Sequence, residues 1–226
     1  MRSLPILLIR PPQIAQAFSE ALRARIADAN ILFAPLVDIQ VLDFKMPSLS
    51  GEPVIFTSLN AARAVIPKLT KRPDVLAVGK VLTAYLAENG FENIQTFDTA
   101  SDLVQHLPGS GHYFRGENVR IDLAQIGGGI RETVTYRQIQ TPPSVSLQNE
   151  IETGAIVPVF SIFAAEALID AEILNTKMDI IAMSDAVAAC LDAQSVANIH
   201  VIPSPTRAAM INTIAELYEK NANRPF

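Results

Sequence analysis

At 226 residues the chain exceeds one typical domain and is long enough for two lobes of about 100 residues each. Hydrophobic residues make up 49% and charged residues 18%, which supplies packed cores and excludes a disordered composition. A formal net charge of −5 without any Lys/Arg cluster removes the electrostatic footprint of a nucleic-acid binder, so a small-molecule partner is expected.

In chain order, Ile6-Leu7-Leu8-Ile9 reads as a buried strand. After the Arg10-Pro11-Pro12 turn, Ile14, Phe18, Leu22 and Ile26 recur at helical spacing. Val54-Ile55-Phe56-Thr57 leads through Ser58, a suitable N-cap, into a helix with Ala62, Val65, Ile66 and Leu69 on one face. Val75-Leu76-Ala77-Val78 precedes a helix around Leu82, Leu86 and Ala87, and Asn89-Gly90 predicts a left-handed stop. Further strand–helix units are predicted from 94–97, 156–160, 178–183 and 199–202, while 108–116 carries the least legible pattern. Strands alternating with helices predict an α/β fold of parallel sheets flanked by helices.

An internal repeat adds to this. Asp74-Val75-Leu76-Ala77-Val78 matches Asp179-Ile180-Ile181-Ala182-Met183, and at the same offset Asn93-Ile94 matches Asn198-Ile199. Upstream, Phe56-Thr57-Ser58 echoes Val159-Phe160-Ser161. Two similar lobes are therefore expected, with the extended segments at 36–44 and 133–139 as paired connectors. The expected division is lobe 1 from 1–36 plus 144–226, lobe 2 inserted at 46–132, and connecting strands at 37–45 and 133–143, forming a two-stranded β-ladder.

Several chemistries lack support. No run approaches the ~20 apolar residues of a membrane span, and Arg10 interrupts the first apolar stretch too early for a signal peptide, so a cytoplasmic protein is expected. His106, His112 and His200 are scattered without ligand spacing, and the single Cys190 falls on an apolar helix side; neither a metal nor another cofactor is expected. Gly127-Gly128-Gly129 follows a helix and precedes a strand, the reverse of a phosphate-cradling loop, and reads as a turn.

What recurs is a hydroxyl where a strand ends and a helix begins: Thr57-Ser58, Ser161, Ser184, and Ser204 with Thr206. Each serves as an ordinary N-cap; together they line the carboxyl edges of parallel sheets, where helix N-termini attract anions. Arg10 and Arg115 are candidates for carboxylate recognition or solvated surface arginines. Tyr136 is a candidate proton donor or a packing aromatic on its connector.

Ile9-Arg10-Pro11, Ile55-Phe56-Thr57-Ser58-Leu59-Asn60-Ala61, Ala77-Val78-Gly79 with Thr83-Ala84 and Gly90-Phe91, Arg115-Gly116-Glu117-Asn118, Val134-Thr135-Tyr136, and Pro205-Thr206 with Ala209-Met210 follow one another in an order and spacing that resembles the uroporphyrinogen-III synthase family across nearly the whole chain. Leu82 stands where the family places a threonine, and Thr83 follows. The resemblance implies two α/β lobes joined by a β-ladder, with the substrate in a cleft between them. It also implies a hydro-lyase that closes hydroxymethylbilane, a linear tetrapyrrole, to uroporphyrinogen III with loss of water and inversion of the last ring. It implies no cofactor and a transient handover from hydroxymethylbilane synthase, and nothing in the sequence demands more than a monomer. Tyr136 occupies the position of the family's proton donor, and Arg10, Thr57, Ser58, Thr83, Arg115, Ser161, Ser184 and Thr206 become substrate-binding candidates. The competing expectations are a non-catalytic two-lobed binding protein for a small organic acid and a degenerate synthase kept as a scaffold.

Overall fold

The computed structural model describes residues 4–119 and 121–222. The chain runs β1 (Ile6–Leu8), α1 (Pro12–Arg23), β2 (Ile31–Phe33), β3 (Val37–Val41), β4 (Val54–Phe56), α2 (Leu59–Val65), β5 (Val75–Val78), α3 (Lys80–Glu88), β6 (Ile94–Phe97), α4 (Ala100–Val104), β7 (Gly111–Gly116), α5 (Leu123–Ile126) and β8 (Ile130–Gln140). It continues through α6 (Leu147–Glu150), β9 (Ile156–Val159), α7 (Ile162–Asp170), β10 (Asp179–Ala182), α8 (Asp185–Ala189), β11 (Asn198–Val201) and α9 (Arg207–Ala222). Two compact units result: Ile39–Gln138 is one, here lobe 2, and the residues on either side make the other, lobe 1.

Lobe 1 is built on a five-stranded sheet in the order β11-β10-β9-β1-β2, with every pairing parallel. Its inner strands β1 and β9, and β10 after Asp179, are apolar without alternation because both of their faces are covered. Leu7, Val157 and Ile180 point into a core shared with α7 and α8, while their neighbours Ile6, Leu8, Ile156 and Ile181 point into a second core under α1 and α9.

Lobe 2 carries the order β3-β8-β7-β4-β5-β6, and its pairings from β8 to β6 are parallel. Alternation divides it the same way. Val54, Phe56, Val75 and Ala77 pack with α2 and α3, and Ile55, Leu76, Tyr113 and Phe97 pack with α4 and α5. The helix read through Leu69 stops earlier, at Val65, and a 3₁₀ turn over Ile66–Lys68 takes over, because Pro67 has no N–H to continue the α-helical ladder. At the end of α3, Gly90 sits at φ +82°, and Phe91 N–H bonds back to Leu86 O in the left-handed stop expected of Asn89-Gly90.

The sequence repeat has a spatial counterpart. Strands β4, β5 and β6 hold the places in lobe 2 that β9, β10 and β11 hold in lobe 1, and β7-β8 correspond to β1-β2. Even side-chain bonds recur: Asn93 Nδ2 donates to Asp74 Oδ1 at 2.9 Å, and Asn198 Nδ2 donates to Asp179 Oδ1 at 2.7 Å. Chain order differs, however, since β1-β2 open lobe 1 whereas β7-β8 close lobe 2.

Candidate active site

In each sheet the strand order reverses once, beside β4 and β7 in lobe 2 and beside β9 and β1 in lobe 1. The carboxyl ends of strands at such a reversal form a crevice where open α/β sheets bind ligands.

In lobe 2 that crevice is a pocket of about 230 Å³ whose lining includes Thr57, Ser58, Tyr113, Gly116, Asn118 and Tyr136. Thr57 and Ser58 follow β4, and successive residues of an extended chain point to opposite faces. Accordingly Thr57 Oγ1 meets the Tyr113 hydroxyl at 2.8 Å on one side, and Ser58 Oγ meets the Tyr136 hydroxyl at 2.8 Å on the other. Ser58 also caps α2 by accepting the Asn60 N–H at 3.2 Å, which fixes its oxygen beneath the Tyr136 phenol. Burial pushes the Tyr113 phenol up from its ordinary value, against the opposing effect of its Thr57 hydrogen bond, and keeps it neutral.

Gly116 explains how Tyr136 reaches this position. A Cβ there would stand 2.7 Å from Tyr136 Cζ, so only glycine lets the phenol ring lie against the β7 backbone. Arg115 holds the same corner. Its Nε and Nη2 grip both Glu132 oxygens at 2.8 and 2.7 Å, and Nη1 donates to Gly116 O and Glu117 O, each at 2.9 Å. Those Glu132 bonds raise the guanidinium further above its usual value. All three nitrogens of Arg115 therefore serve the protein.

The other sequence candidates are spread over the carboxyl edges of the two lobes. Thr83 lies outside the pocket on α3, where its hydroxyl bonds Gly79 O at 3.2 Å and Thr96 Oγ1 at 2.9 Å, while Leu82 turns into the core. In lobe 1, Ser161 caps α7 through Ala164 N–H at 3.2 Å, and Thr206 Oγ1 accepts the Ala209 N–H at 3.1 Å. Ser184 precedes α8 without a side-chain cap bond. Arg10 leaves β1 and stacks on Phe160, 3.9 Å from the ring centroid. Among the described residues no three His, Cys, Asp or Glu side chains cluster as a metal site would require, and no helix is long and apolar enough to cross a membrane.

Sequence reasoning missed Tyr113, because its place depends on the β4–β7 register, Ile55 opposite Tyr113, which no local pattern encodes. It also missed Arg207 at the start of α9, half of a charge pair with Arg10 that only the tertiary fold creates.

The fold and site define a two-lobed, doubly wound α/β protein with a hydroxyl-lined crevice at a strand reversal. Among solved structures the chain is similar to a uroporphyrinogen-III synthetase from Helicobacter pylori, with a TM-score of 0.68 at 17% identity, covering 96% of this chain and 100% of that one. It is also similar to a mutant uroporphyrinogen III synthase from the extremely thermophilic bacterium Thermus thermophilus, with a TM-score of 0.52 at 15% identity over 96% of this chain and 100% of the other. The fold is that of these structures. No family model and no curated protein matches the sequence.

Proposed function

We propose that the chain is a uroporphyrinogen-III synthase, a hydro-lyase that closes hydroxymethylbilane to uroporphyrinogen III with inversion of the last ring. The observation that carries this reading is the Ser58–Tyr136 hydroxyl pair over the lobe 2 pocket, on a fold shared with synthases. The pocket's volume of about 230 Å³ lies below the ~300–1,000 Å³ of a whole drug-sized site, which suits the terminal portion of an extended tetrapyrrole.

In this reading Tyr136 donates a proton to the departing hydroxyl, so that the C–O bond breaks to give water and a resonance-stabilised azafulvenium cation. The tyrosinate recovers a proton from the last ring's free carbon when the macrocycle closes and that ring rearomatises. Ser58 orients the phenol, and Tyr113 with Thr57 presents a second neutral hydroxyl to the same space. The substituted carbon of the last ring attacks the azafulvenium cation through a spiro intermediate. Because the free substrate also closes on itself, positioning here serves to direct attack to the substituted carbon of the last ring rather than to its free end. Ser161, Ser184 and Thr206 offer hydroxyls and helix N-termini to substrate carboxylates. Arg115 and Thr83, whose polar groups are engaged internally, support the backbone around the site.

The test is an assay that generates fresh hydroxymethylbilane, adds the protein, and separates the oxidised uroporphyrin isomers. Uncatalysed closure gives isomer I. A protein-dependent change to isomer III is expected; isomer I alone from folded protein would discard the reading in favour of a binding protein for organic acids.

A further inference from the structure

The repeat makes Arg10 and Arg115 counterparts. Phe56 pairs with Phe114, which places Thr57 beside Arg115, and the β1–β9 register of Ile6 with Ile156 likewise places Arg10 beside Phe160, the repeat partner of Thr57. The same registers put Phe33 in lobe 1 where Glu132 stands in lobe 2. Lobe 1 thus has the arginine without the carboxylate. Among the described residues no acceptor takes up the Arg10 donors, and no acidic residue occupies the first turn of α1 or α9.

A second arginine adds to the excess. Arg10 and Arg207 each hold their guanidinium carbon 5.9 Å from the Phe18 ring centroid. Phe18 in turn packs edge-on against Phe160, with centroids 5.2 Å apart. Stacking on Phe160 orients the flat Arg10 group while leaving its in-plane N–H donors free. Arg207 is exposed and steadied by a bond to Ala17 O. Burial, and next the charge of Arg207, push Arg10 down to about 10, so an anion between the two would relieve both costs. A planar carboxylate fits two such forks.

We propose that Arg10 and Arg207 form a carboxylate-binding subsite in lobe 1, separate from the lobe 2 pocket, that grips an acetate or propionate side chain of the tetrapyrrole. The tetrapyrrole part of this assignment rests on the synthase reading; the carboxylate site does not. Glutarate, added to the full-length protein at constant ionic strength, probes it through the arginine Nε–Hε resonances. The Arg10 and Arg207 signals are expected to move together while Arg115 stays fixed, and Arg207→Gln is expected to abolish the Arg10 response. Because Arg10 is largely enclosed, Arg10→Lys, which keeps the charge but not the fork, replaces truncation there. With hydroxymethylbilane, Arg207→Gln is expected to raise KM about tenfold or more, with a smaller effect on kcat. Arg25→Gln, which removes an exposed arginine paired with Glu219, controls for net charge. An Arg10 signal indifferent to glutarate, or a wild-type KM in Arg207→Gln, overturns the subsite and leaves isomer III formation standing. Glutarate binding through the pair in a protein that yields only isomer I upholds the subsite and overturns the synthase reading.

Discussion

Tyr136 shows how one side chain is placed by several modest features. Gly116 clears space for its ring, Ser58 bonds its hydroxyl, and the α2 cap fixes Ser58. If the phenol protonates the leaving hydroxyl, Tyr136→Phe should lower kcat for isomer III formation by about 10²-fold or more while the melting temperature changes little. The isomer assay and a thermal scan measure the two effects. A kcat within a few-fold of wild type would transfer the acid's role to Tyr113 or to a substrate carboxylate. Tyr136 and its Thr57-Ser58 surroundings were legible because short motifs announce them. Tyr113 was not, since a tyrosine inside a strand reads as packing until its register is known.

Among elements, β7 was hardest to foresee and is central to its sheet. Gly111-His112-Tyr113-Phe114-Arg115-Gly116 mixes polar and apolar residues, yet Gly111 through Phe114 are buried, because the tyrosine and histidine find hydroxyl partners in Thr57 and Thr133. Uniformly apolar β1, β4, β5 and β9 were readable without such partners. The Asn–Asp pairs at the starts of β5-β6 and β10-β11 offer a controlled comparison. Asp179 is only 4% exposed, whereas Asp74 is open to solvent. Removing one partner of a buried carboxylate, here with the longer Asn221 Nδ2 bond of 3.4 Å remaining, costs more than removing that of an exposed one. Asn198→Ala should therefore destabilise by about 1–3 kcal/mol and Asn93→Ala by less than about 1 kcal/mol, as read from urea unfolding. Equal losses would contradict this difference.

At the scale of the whole molecule, each lobe has its own two-sided core, and the chain enters and leaves lobe 2 on the neighbouring strands β3 and β8. Lobe 2 stability should depend on pH through His112. Burial, and secondarily Arg131, push this imidazole below its ordinary value of 6.5, with Glu52 opposing. The unfolded chain then binds a proton before the folded one, so stability is full above about 6.5 and falls as the pH drops below it. Unfolding measured between pH 8 and 5, a range of about three units around an ordinary histidine, should show this slope, and His112→Gln should flatten it. An unchanged slope would assign the effect elsewhere. The insertion also orders events on the ribosome. All strands of lobe 2 have been synthesised once β8 has emerged, whereas β1, with Ile6, Leu7 and Leu8 destined for full burial, has only β2 for company until β9 arrives. Translation thus favours lobe 2 as the earlier folding unit, while the first segment of lobe 1 waits, exposed, for strands made last.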